Sequence, residues 1–329
     1  MASQAPKNYD IVPSQMRFGK WDTLAVATFS FLLGFFAHRQ RLHDPVRALG
    51  AYAAGESGGC GLTAMIQAPI RSWKLQRSMD MSRSGIKMVE EAPDGFSRWE
   101  TPLGPLWCPP KNTPAFAVGE QLAEVYTEGE MALQPSDIVL DCGANIGDFV
   151  RVCLRAGVAK VVAIDPSPNN IEAMRRTFSE EIARGRVILV PKGVWHEDST
   201  MTMLLYQNTL LDSFVMRDRK ENLGKPQPRE LKLPVTTIDK IVEELKLEKV
   251  TFVKMDVEGA ERNAIRGAAK TITRFRPRMS LATENLEDDY IVVPQEVQKL
   301  QQNYKVQCGL CRQEGRMSYR PDILFFTPN

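Results

Sequence analysis

Apolar positions in the C-terminal two thirds of the chain follow two alternating patterns. Short apolar runs typical of buried strands alternate with stretches in which an apolar residue recurs every third or fourth position, as in helices. From residue 136 onward this predicts a Rossmann-like, doubly wound α/β fold, a mostly parallel sheet with helices on both faces. The predicted strands are 138–141, 161–165, 187–190, 201–206, 231–235, 250–256, 279–282, 304–308 and 322–327, the last two forming an antiparallel pair.

The N-terminal part of the chain has a different pattern. Residues 23–37 carry no charge and are followed by His38, Arg39 and Arg41. Counted from Trp21, the apolar stretch 21–37 reaches the lower limit for crossing a bilayer. We expect a membrane anchor that keeps the body of the chain at the cytoplasmic face of the plasma membrane. A buried or interfacial helix is the alternative.

The boundary between extension and domain falls near residue 92. Residues 40–92 show neither the helical nor the strand period over any length, which predicts a linker with one or two short helices. We therefore divide the chain into an extension, 1–92, and a domain, 93–329. Early in that domain we expect a hairpin, 96–107, and a helix, 116–126, that covers the mouth of a site.

Composition excludes several classes of protein. With 43% hydrophobic and 25% charged residues, the chain is an ordinary globular protein. Its net charge of +2 gives no reason to expect nucleic acid as a partner. The six cysteines resemble small buried hydrophobes in a reducing compartment, and Cys308 and Cys311 form a C-x-x-C that lacks the further ligands of a zinc site. No metal is predicted.

The first candidate site follows the strand 138–141. Asp141 ends the strand, and Gly143, Asn145 and Gly147 form a turn that opens a helix. Glycine permits close approach of the backbone to a ligand. An acid two residues before the first glycine would repel a phosphate, so the turn fits the cationic sulfonium of S-adenosylmethionine better than it fits NAD. The sequence of a P-loop does not occur.

A second landmark agrees with a nucleoside ligand. Asp165 ends the next strand, a little over 20 residues beyond the turn, where nucleoside-binding folds place the acid that holds ribose hydroxyls. Trp195, which follows the third strand, completes the predicted donor-binding residues: Asp141, Gly143, Asn145, Gly147, Asp165 and Trp195.

A third cluster follows the strand 250–256. Asp256 is predicted as a general base or substrate anchor that deprotonates a hydroxyl. Lys254, two residues earlier on the same strand face, either orients Asp256 or caps a neighbouring carbonyl. Glu258 and Glu261 are further candidates, although acids are also favoured at the start of a helix.

Two segments of this chain resemble the FkbM family of S-adenosylmethionine-dependent methyltransferases. They are V-L-D-C-G-A-N-I-G-D-F at 139–149 and V-K-M-D-V-E-G-A-E at 253–261, within a likeness that covers about 95–327. The resemblance implies a seven-stranded sheet with one antiparallel strand and O-methylation of a hydroxyl on a sugar, polyketide or similar metabolite. It also implies that Asp141, Gly143, Asn145 and Gly147 bind the donor, that Asp165 holds its ribose, and that Asp256, Glu258 and Glu261 form the family's acidic segment.

Two other functions are compatible with the sequence. One is an NAD-dependent oxidoreductase, which the acid before Gly143 disfavours. The other is a membrane-tethered protein that keeps the fold without chemistry. The expected partners are a small-molecule or glycan acceptor and, through residues 21–37, a membrane.

Overall fold

The computed structural model describes residues 43–205, 229–315 and 317–329. The apolar stretch 21–37 and most of the loop 207–230 lie outside the described residues. Within the described part of the chain, none of the helices combines the length and the hydropathy needed to cross a bilayer.

The first described elements are two helices, three short strands and a third helix. They are α1 (His43–Ala54), α2 (Leu62–Gly85), β1 (Lys87–Glu91), β2 (Ser97–Glu100), β3 (Leu106–Cys108) and α3 (Ala115–Leu122). Strands β1, β2 and β3 form a small antiparallel sheet, which confirms the predicted hairpin and adds a strand to it. The predicted helix over residues 116–126 is also confirmed, though it ends earlier.

The remaining elements are mostly strands and helices in alternation, as the apolar pattern predicts, with two runs of successive strands. They are β4 (Ile138–Cys142), α4 (Asp148–Arg155), β5 (Lys160–Ile164), α5 (Pro168–Thr177), α6 (Ser179–Ala183), β6 (Val187–Val190), β7 (Gly193–Val194), β8 (Ser199–Leu205), β9 (Arg229–Thr236), α7 (Ile238–Glu244), β10 (Phe252–Met255), α8 (Glu261–Arg266), α9 (Ala269–Phe275), β11 (Arg278–Ala282), α10 (Asp289–Leu300), β12 (Tyr304–Cys308), β13 (Cys311–Gln313), β14 (Tyr319–Pro321) and β15 (Ile323–Pro328).

The described residues form one seven-stranded sheet in the order β12-β15-β11-β10-β4-β5-β6. Strands β11, β10, β4, β5 and β6 run parallel. Only β15 runs against its neighbours in this sheet, pairing antiparallel with both β11 and β12. The expected seven-stranded sheet with one antiparallel strand is confirmed. Chain order reverses between β4 and β10, where an open α/β sheet forms its ligand crevice.

Two apolar layers cover the two faces of this sheet. Alternate residues of one strand point to opposite faces, so Val139 joins one layer and Leu140 the other. Helices α4 and α5 bury Phe149 and Met174 in the first layer. Helices α7 to α10 cover the second face, which makes the sheet doubly wound as predicted.

Helix α2 is much longer than the one or two short helices predicted within the linker 40–92. It is 24 residues long, and Met65, Ala68 and Met79 are buried. Five large apolar residues on α2 are exposed by 45 to 63%: Leu62, Ile66, Ile70, Trp73 and Met81. Because apolar residues lie on both the buried and the exposed surface of α2, the sequence shows no one-sided period.

A disulfide corrects the interpretation of the cysteines as isolated hydrophobes. Cys60, between α1 and α2, is bonded to Cys308 at the end of β12. The prediction holds for the buried free cysteines Cys142 and Cys153.

Candidate active site

Gly143 brings the ends of β4 and β10 together. Its φ is +78°, and a Cβ there would lie 1.8 Å from the carbonyl oxygen of Asp256. Gly147 has a φ of +85°, and a Cβ there would lie 2.4 Å from the ring of Phe178. The sequence pattern predicts that both glycines permit close approach of a ligand. In the structure, the space that a Cβ would need at each glycine is taken by another part of the protein, the Asp256 carbonyl at Gly143 and the Phe178 ring at Gly147.

Asp165 joins the glycine turn to the loop after β5. Its carboxylate accepts hydrogen bonds from the backbone N–H of Asn145 at 2.9 Å and of Ser167 at 2.9 Å, and from the amide of Asn170 at 3.2 Å. Burial raises the pKa of Asp165 to about 6, although these three donors act in the opposite direction.

Lys254 forms an ion pair with Asp141. Its Nζ lies 3.4 Å from Asp141 Oδ1 and donates a hydrogen bond of 2.8 Å to the carbonyl of Gly143. Burial alone would lower the pKa of Lys254, but the charges of Asp141, Asp256 and Asp148 outweigh burial and raise it. Burial raises the pKa of Asp141 to about 6. Of the two predicted roles for Lys254, the structure shows the carbonyl cap.

Asp256 has a different partner, Tyr126, which follows α3. The Tyr126 hydroxyl donates a hydrogen bond of 2.8 Å to Asp256 Oδ2. Burial, followed by the charges of Asp256 and Glu120, raises the pKa of Tyr126 well above its ordinary value. Tyr126 therefore remains a protonated donor to the carboxylate at neutral pH.

The segment after Asp256 folds into a tight turn. Glu258 and Gly259 both have positive φ, 57° and 102°. Glu261 is fully buried, and its Oε1 accepts hydrogen bonds from the N–H of Val257 at 3.0 Å and the amide of Asn285 at 2.7 Å. Burial, with smaller effects of Asp256 and Asp289, raises its pKa to about 7. Glu261 thus shapes the turn that carries Glu258.

A cavity of about 790 Å³, including its open mouth, lies over the carboxyl ends of β4, β5 and β10. Six of the predicted site residues line it: Gly143, Asn145, Asp165, Lys254, Asp256 and Glu258. Asp141 and Gly147 lie directly beside this lining in the β4 turn, and Glu261 supports it from the turn after β10. Trp195 lies outside the lining, with its ring centroid 5.4 Å from that of His196, while its neighbour Val194 contributes.

One wall of the cavity, formed by α3 and the residues next to it, was not predicted from the sequence. Glu120, Gln121 and Tyr126 line it, together with Asp148 at the start of α4. Burial and the charges of nearby acids, first Asp256, raise the pKa of Glu120 well above its ordinary value. The predicted helix over the mouth was the available signal, but the sequence does not show which of its residues face inward.

The charges in the cavity favour a cation over a phosphate. Five acids and two lysines line it among the described residues: Glu120, Asp148, Asp165, Asp256, Glu258, Lys192 and Lys254. Asp148 occupies the N-terminus of α4, where a dinucleotide phosphate would bind, and accepts a hydrogen bond of 2.8 Å from Gln121. A phosphate would therefore meet a carboxylate at the place that otherwise attracts anions.

Buried acceptors in the lining provide a test of fit for a nucleoside. Within the described residues, Asn145 Oδ1 and Asn170 Oδ1 are buried and receive no hydrogen bond. A buried acceptor without a donor costs free energy. A ligand that brings hydroxyl and amino donors, as S-adenosylmethionine does, satisfies such acceptors, so the residues present fit this group.

The strand order, the helices on both faces and the acid-lined cavity at the strand ends define a methyltransferase-like α/β fold. The chain belongs to the FkbM methyltransferase family, because the model of the methyltransferase FkbM domain matches residues 141–319, more than half of the chain. This confirms the family that the two sequence segments indicate.

Solved structures with a related arrangement are distant in sequence. The FkbM methyltransferase of Methylobacillus flagellatus is 15% identical, with a TM-score of 0.43 over 79% of this chain and 60% of that one. A Streptococcus mutans protein named as a methyltransferase, in complex with SAH, is 14% identical, with a TM-score of 0.36 over 63% of this chain and 94% of that one. No curated protein matches the chain in sequence.

Proposed function

We propose that this protein is an S-adenosylmethionine-dependent O-methyltransferase that acts on a hydroxyl of a small metabolite, sugar or glycan. The observation that carries the proposal is the Asp256 carboxylate in the cavity, fixed through Oδ2 by the Tyr126 hydroxyl at 2.8 Å. It lies beside the glycine turn, where the donor would bind.

Residues of the β4 and β5 loops would hold the donor. Asp165 and the amide oxygens of Asn145 and Asn170 can accept hydrogen bonds from the ribose and amino groups. The carboxylates around the cavity favour the positive charge of the sulfonium. When bound, S-adenosylmethionine supplies an electrophilic methyl group.

Asp256 would act on the acceptor. Because Tyr126 donates to Oδ2, Oδ1 can accept the proton of an acceptor hydroxyl. The raised pKa of Tyr126 keeps its hydroxyl protonated, so the carboxylate stays oriented while its other oxygen takes up the proton. Asp256 would then be a general base at the strand end nearest the glycine turn.

The oxidoreductase alternative loses support from two observations. The chain belongs to a methyltransferase family, and Asp148 stands where a dinucleotide phosphate would bind. A protein that keeps the fold without chemistry would bind S-adenosylhomocysteine and transfer no methyl group, so the two measurements below separate it from the enzyme.

The test is the Asp256→Asn variant. We expect its dissociation constant for S-adenosylhomocysteine, measured by calorimetry, to stay within about threefold of the wild-type value. Transfer of labelled methyl groups to a mixture of sugars, oligosaccharides and polyhydroxylated metabolites should fall about 100- to 10,000-fold, the usual contribution of a general base. The product should resist alkali, since ethers do so and methyl esters do not.

Two variants accompany this test. Tyr126→Phe removes only the hydrogen bond to Asp256 and should reduce transfer less than Asp256→Asn does. Glu243→Gln, an exposed acid on α7, should leave binding and transfer unchanged. If Asp256→Asn transfers methyl groups at the wild-type rate, Asp256 is not the general base. If the wild-type protein gives no heat with S-adenosylhomocysteine, S-adenosylmethionine is not the donor.

A further inference from the structure

Three sulfur atoms meet where the N-terminal helices contact the C-terminal strands. Cys60 is bonded to Cys308, and the Sγ of the free Cys311 lies 3.4 Å from the Sγ of Cys60. All three sulfur atoms lie within 4.8 Å of one another. Cys60 and Cys311 are buried, with 2% and 1% of their surfaces exposed. One disulfide and one thiol therefore share a single site.

Contacts other than the disulfide hold this site together. Arg71 on α2 donates hydrogen bonds to the carbonyls of Cys308 at 3.0 Å and Gly309 at 2.7 Å. Its guanidinium is held in turn by Glu128 at 2.7 Å. The hydroxyl of Ser57 donates to the carbonyl of Cys60 at 2.9 Å. The backbones that carry the three sulfurs are thus kept close by polar contacts as well as by the covalent bond.

We propose that Cys60, Cys308 and Cys311 form a thiol–disulfide exchange site in which Cys60 is bonded alternately to Cys308 and to Cys311. This goes beyond methyl transfer and does not depend on it. Either bond joins the α1–α2 segment covalently to the turn between β12 and β13.

The exchange conserves atoms and electrons. The Cys311 thiol loses its proton, and the thiolate attacks Cys60 Sγ. A bond forms between Cys311 and Cys60 while the bond between Cys60 and Cys308 breaks, and its electron pair leaves with Cys308, which takes up a proton. Opening the link altogether requires two electrons from an external dithiol or from two monothiols, which become a disulfide.

A metal site is the competing interpretation of three close sulfurs. A structural zinc site needs four ligands, and zinc binds cysteine as the thiolate. The described residues offer three cysteines here, of which two are already bonded to each other. The arrangement therefore favours exchange, and bound metal becomes an outcome of the test.

The experiment uses the full chain equilibrated with reduced and oxidised glutathione. The protein is quenched in acid, denatured, alkylated and digested with trypsin, which places Cys60 in peptide 48–71 and both Cys308 and Cys311 in peptide 306–312. Fragmentation of the cross-linked pair shows which cysteine is bonded to Cys60. In the wild type we expect both isomers.

Single cysteine variants test which residue can form the bond to Cys60. Cys308→Ser should retain the cross-link in most molecules, now through Cys311, because the two sulfurs are already 3.4 Å apart. Cys311→Ser should retain it through Cys308 alone, and Cys60→Ser should have no cross-link between the two peptides. Cys308→Ala serves if the serine variant fails to fold.

Three results would overturn the proposal. The first is full alkylation of Cys60 in both Cys308 variants. The second is a wild-type protein in which, after equilibration, Cys60 is bonded only to Cys308. The third is the release of one equivalent of metal by a mercurial reagent. Brief alkylation of the native protein checks folding, because the buried Cys108, Cys142 and Cys153 should react only when the chain unfolds.

Discussion

Gly143 is the residue on which the geometry of the cavity depends most directly. Because Gly143 has no Cβ, the carbonyl of Asp256 can approach its Cα closely. A Cβ at this position would lie only 1.8 Å from the carbonyl oxygen of Asp256. Because that neighbour is backbone, neither strand end can yield without moving Asp256. We expect Gly143→Ala to destabilise the fold by more than about 3 kcal/mol and to abolish binding of S-adenosylhomocysteine, as measured by denaturant unfolding and calorimetry.

Gly157 provides the matched control. Its φ is +77°, nearly that of Gly143, but no atom lies within 4 Å of the position of its Cβ. Gly157→Ala should therefore show only the backbone strain, about 1–2 kcal/mol, with unchanged binding. Equal effects of the two substitutions would show that the contact with Asp256 is unimportant.

Asp165 provides a prediction about pH. Its pKa of about 6 in the folded protein exceeds that of an unfolded chain. Its contribution to folding stability is therefore present below pH about 4 and lost as the pH rises through about 6. Ligand binding should have the opposite sense, because ribose hydroxyls donate hydrogen bonds to the charged form.

We expect the affinity for S-adenosylhomocysteine to fall at least about tenfold between pH 7 and pH 5 in calorimetric titrations, since one pH unit below the pKa leaves about a tenth of the carboxylate charged. Asp141, whose pKa is also about 6, can add to this fall. Asp165→Asn should bind S-adenosylhomocysteine more weakly at pH 7. Its affinity should also depend less on pH, because one titrating carboxyl group is missing. Equal wild-type affinity at pH 5 and pH 7 contradicts the assignment.

The cavity acids that follow the strands could be predicted at this scale, whereas Tyr126, Glu120 and Asp148 could not. Asp165 and Asp256 follow buried strands, and parallel strands bring their carboxyl ends to one edge. Tyr126 reaches Asp256 across 130 positions of sequence, through the packing of α3 over the mouth. Hydrogen bonds over such separations leave no local pattern.

At the scale of elements, the strands of the sheet were predicted to within one or two residues. Strands β4, β5 and β6 are short apolar runs with clear ends, so the sequence pattern alone identifies them. Helix α10 begins at Asp289 and contains Pro294 inside it, so the proline does not mark the start of the helix. One or two short helices were predicted within residues 40–92, but the length of α2 was not, since its exposed apolar residues hide the period of its buried ones.

Helices α2 and α3 pack too closely for a larger residue at Gly119. A Cβ there would lie 2.4 Å from the sulfur and 3.1 Å from the Cα of Met79. Helix α3 also contributes Ala117, Glu120 and Gln121 to the cavity. We expect Gly119→Val to destabilise the fold by about 1–3 kcal/mol and to weaken binding of S-adenosylhomocysteine, both measurable on one preparation.

Phe116→Val places the same residue on the exposed side of α3. Phe116 is 52% exposed, so this change should alter stability by less than about 0.5 kcal/mol. If Gly119→Val loses stability and retains full affinity, the position of α3 does not control the donor site.

At the scale of the whole molecule, the bond between Cys60 and Cys308 joins residues 248 positions apart. A cross-link over such a separation restricts the unfolded chain strongly. Cys60→Ser should lower the free energy of unfolding by about 2–4 kcal/mol under oxidising conditions. In excess dithiothreitol the difference from the wild type should disappear.

Cys311→Ser is the matched control, because it removes a buried thiol from the same site and keeps the bond to Cys308. Its unfolding midpoint should stay close to that of the wild type with and without reductant. A Cys60→Ser variant as stable as the wild type in oxidising buffer would show that the link adds nothing to stability.

The seven-stranded sheet with one antiparallel strand was predictable from the family resemblance, whereas the cysteine cluster was not. The segments at 139–149 and 253–261 imply the seven-stranded sheet that the structure shows. Cys60 lies in a part of the chain without a clear period, and nothing in its sequence indicates that it meets Cys308.

Strand β15 lies between β11 and β12, although both precede it in the chain. During synthesis on the ribosome, the other strands of the sheet are therefore available before β15, and the position between β11 and β12 stays empty until β15 is made. Until residues 323–328 emerge from the exit tunnel, two unpaired strand edges remain open to wrong partners. Premature stop codons just upstream should accordingly yield chains that aggregate or recruit chaperones, even though every residue of the cavity has already been translated.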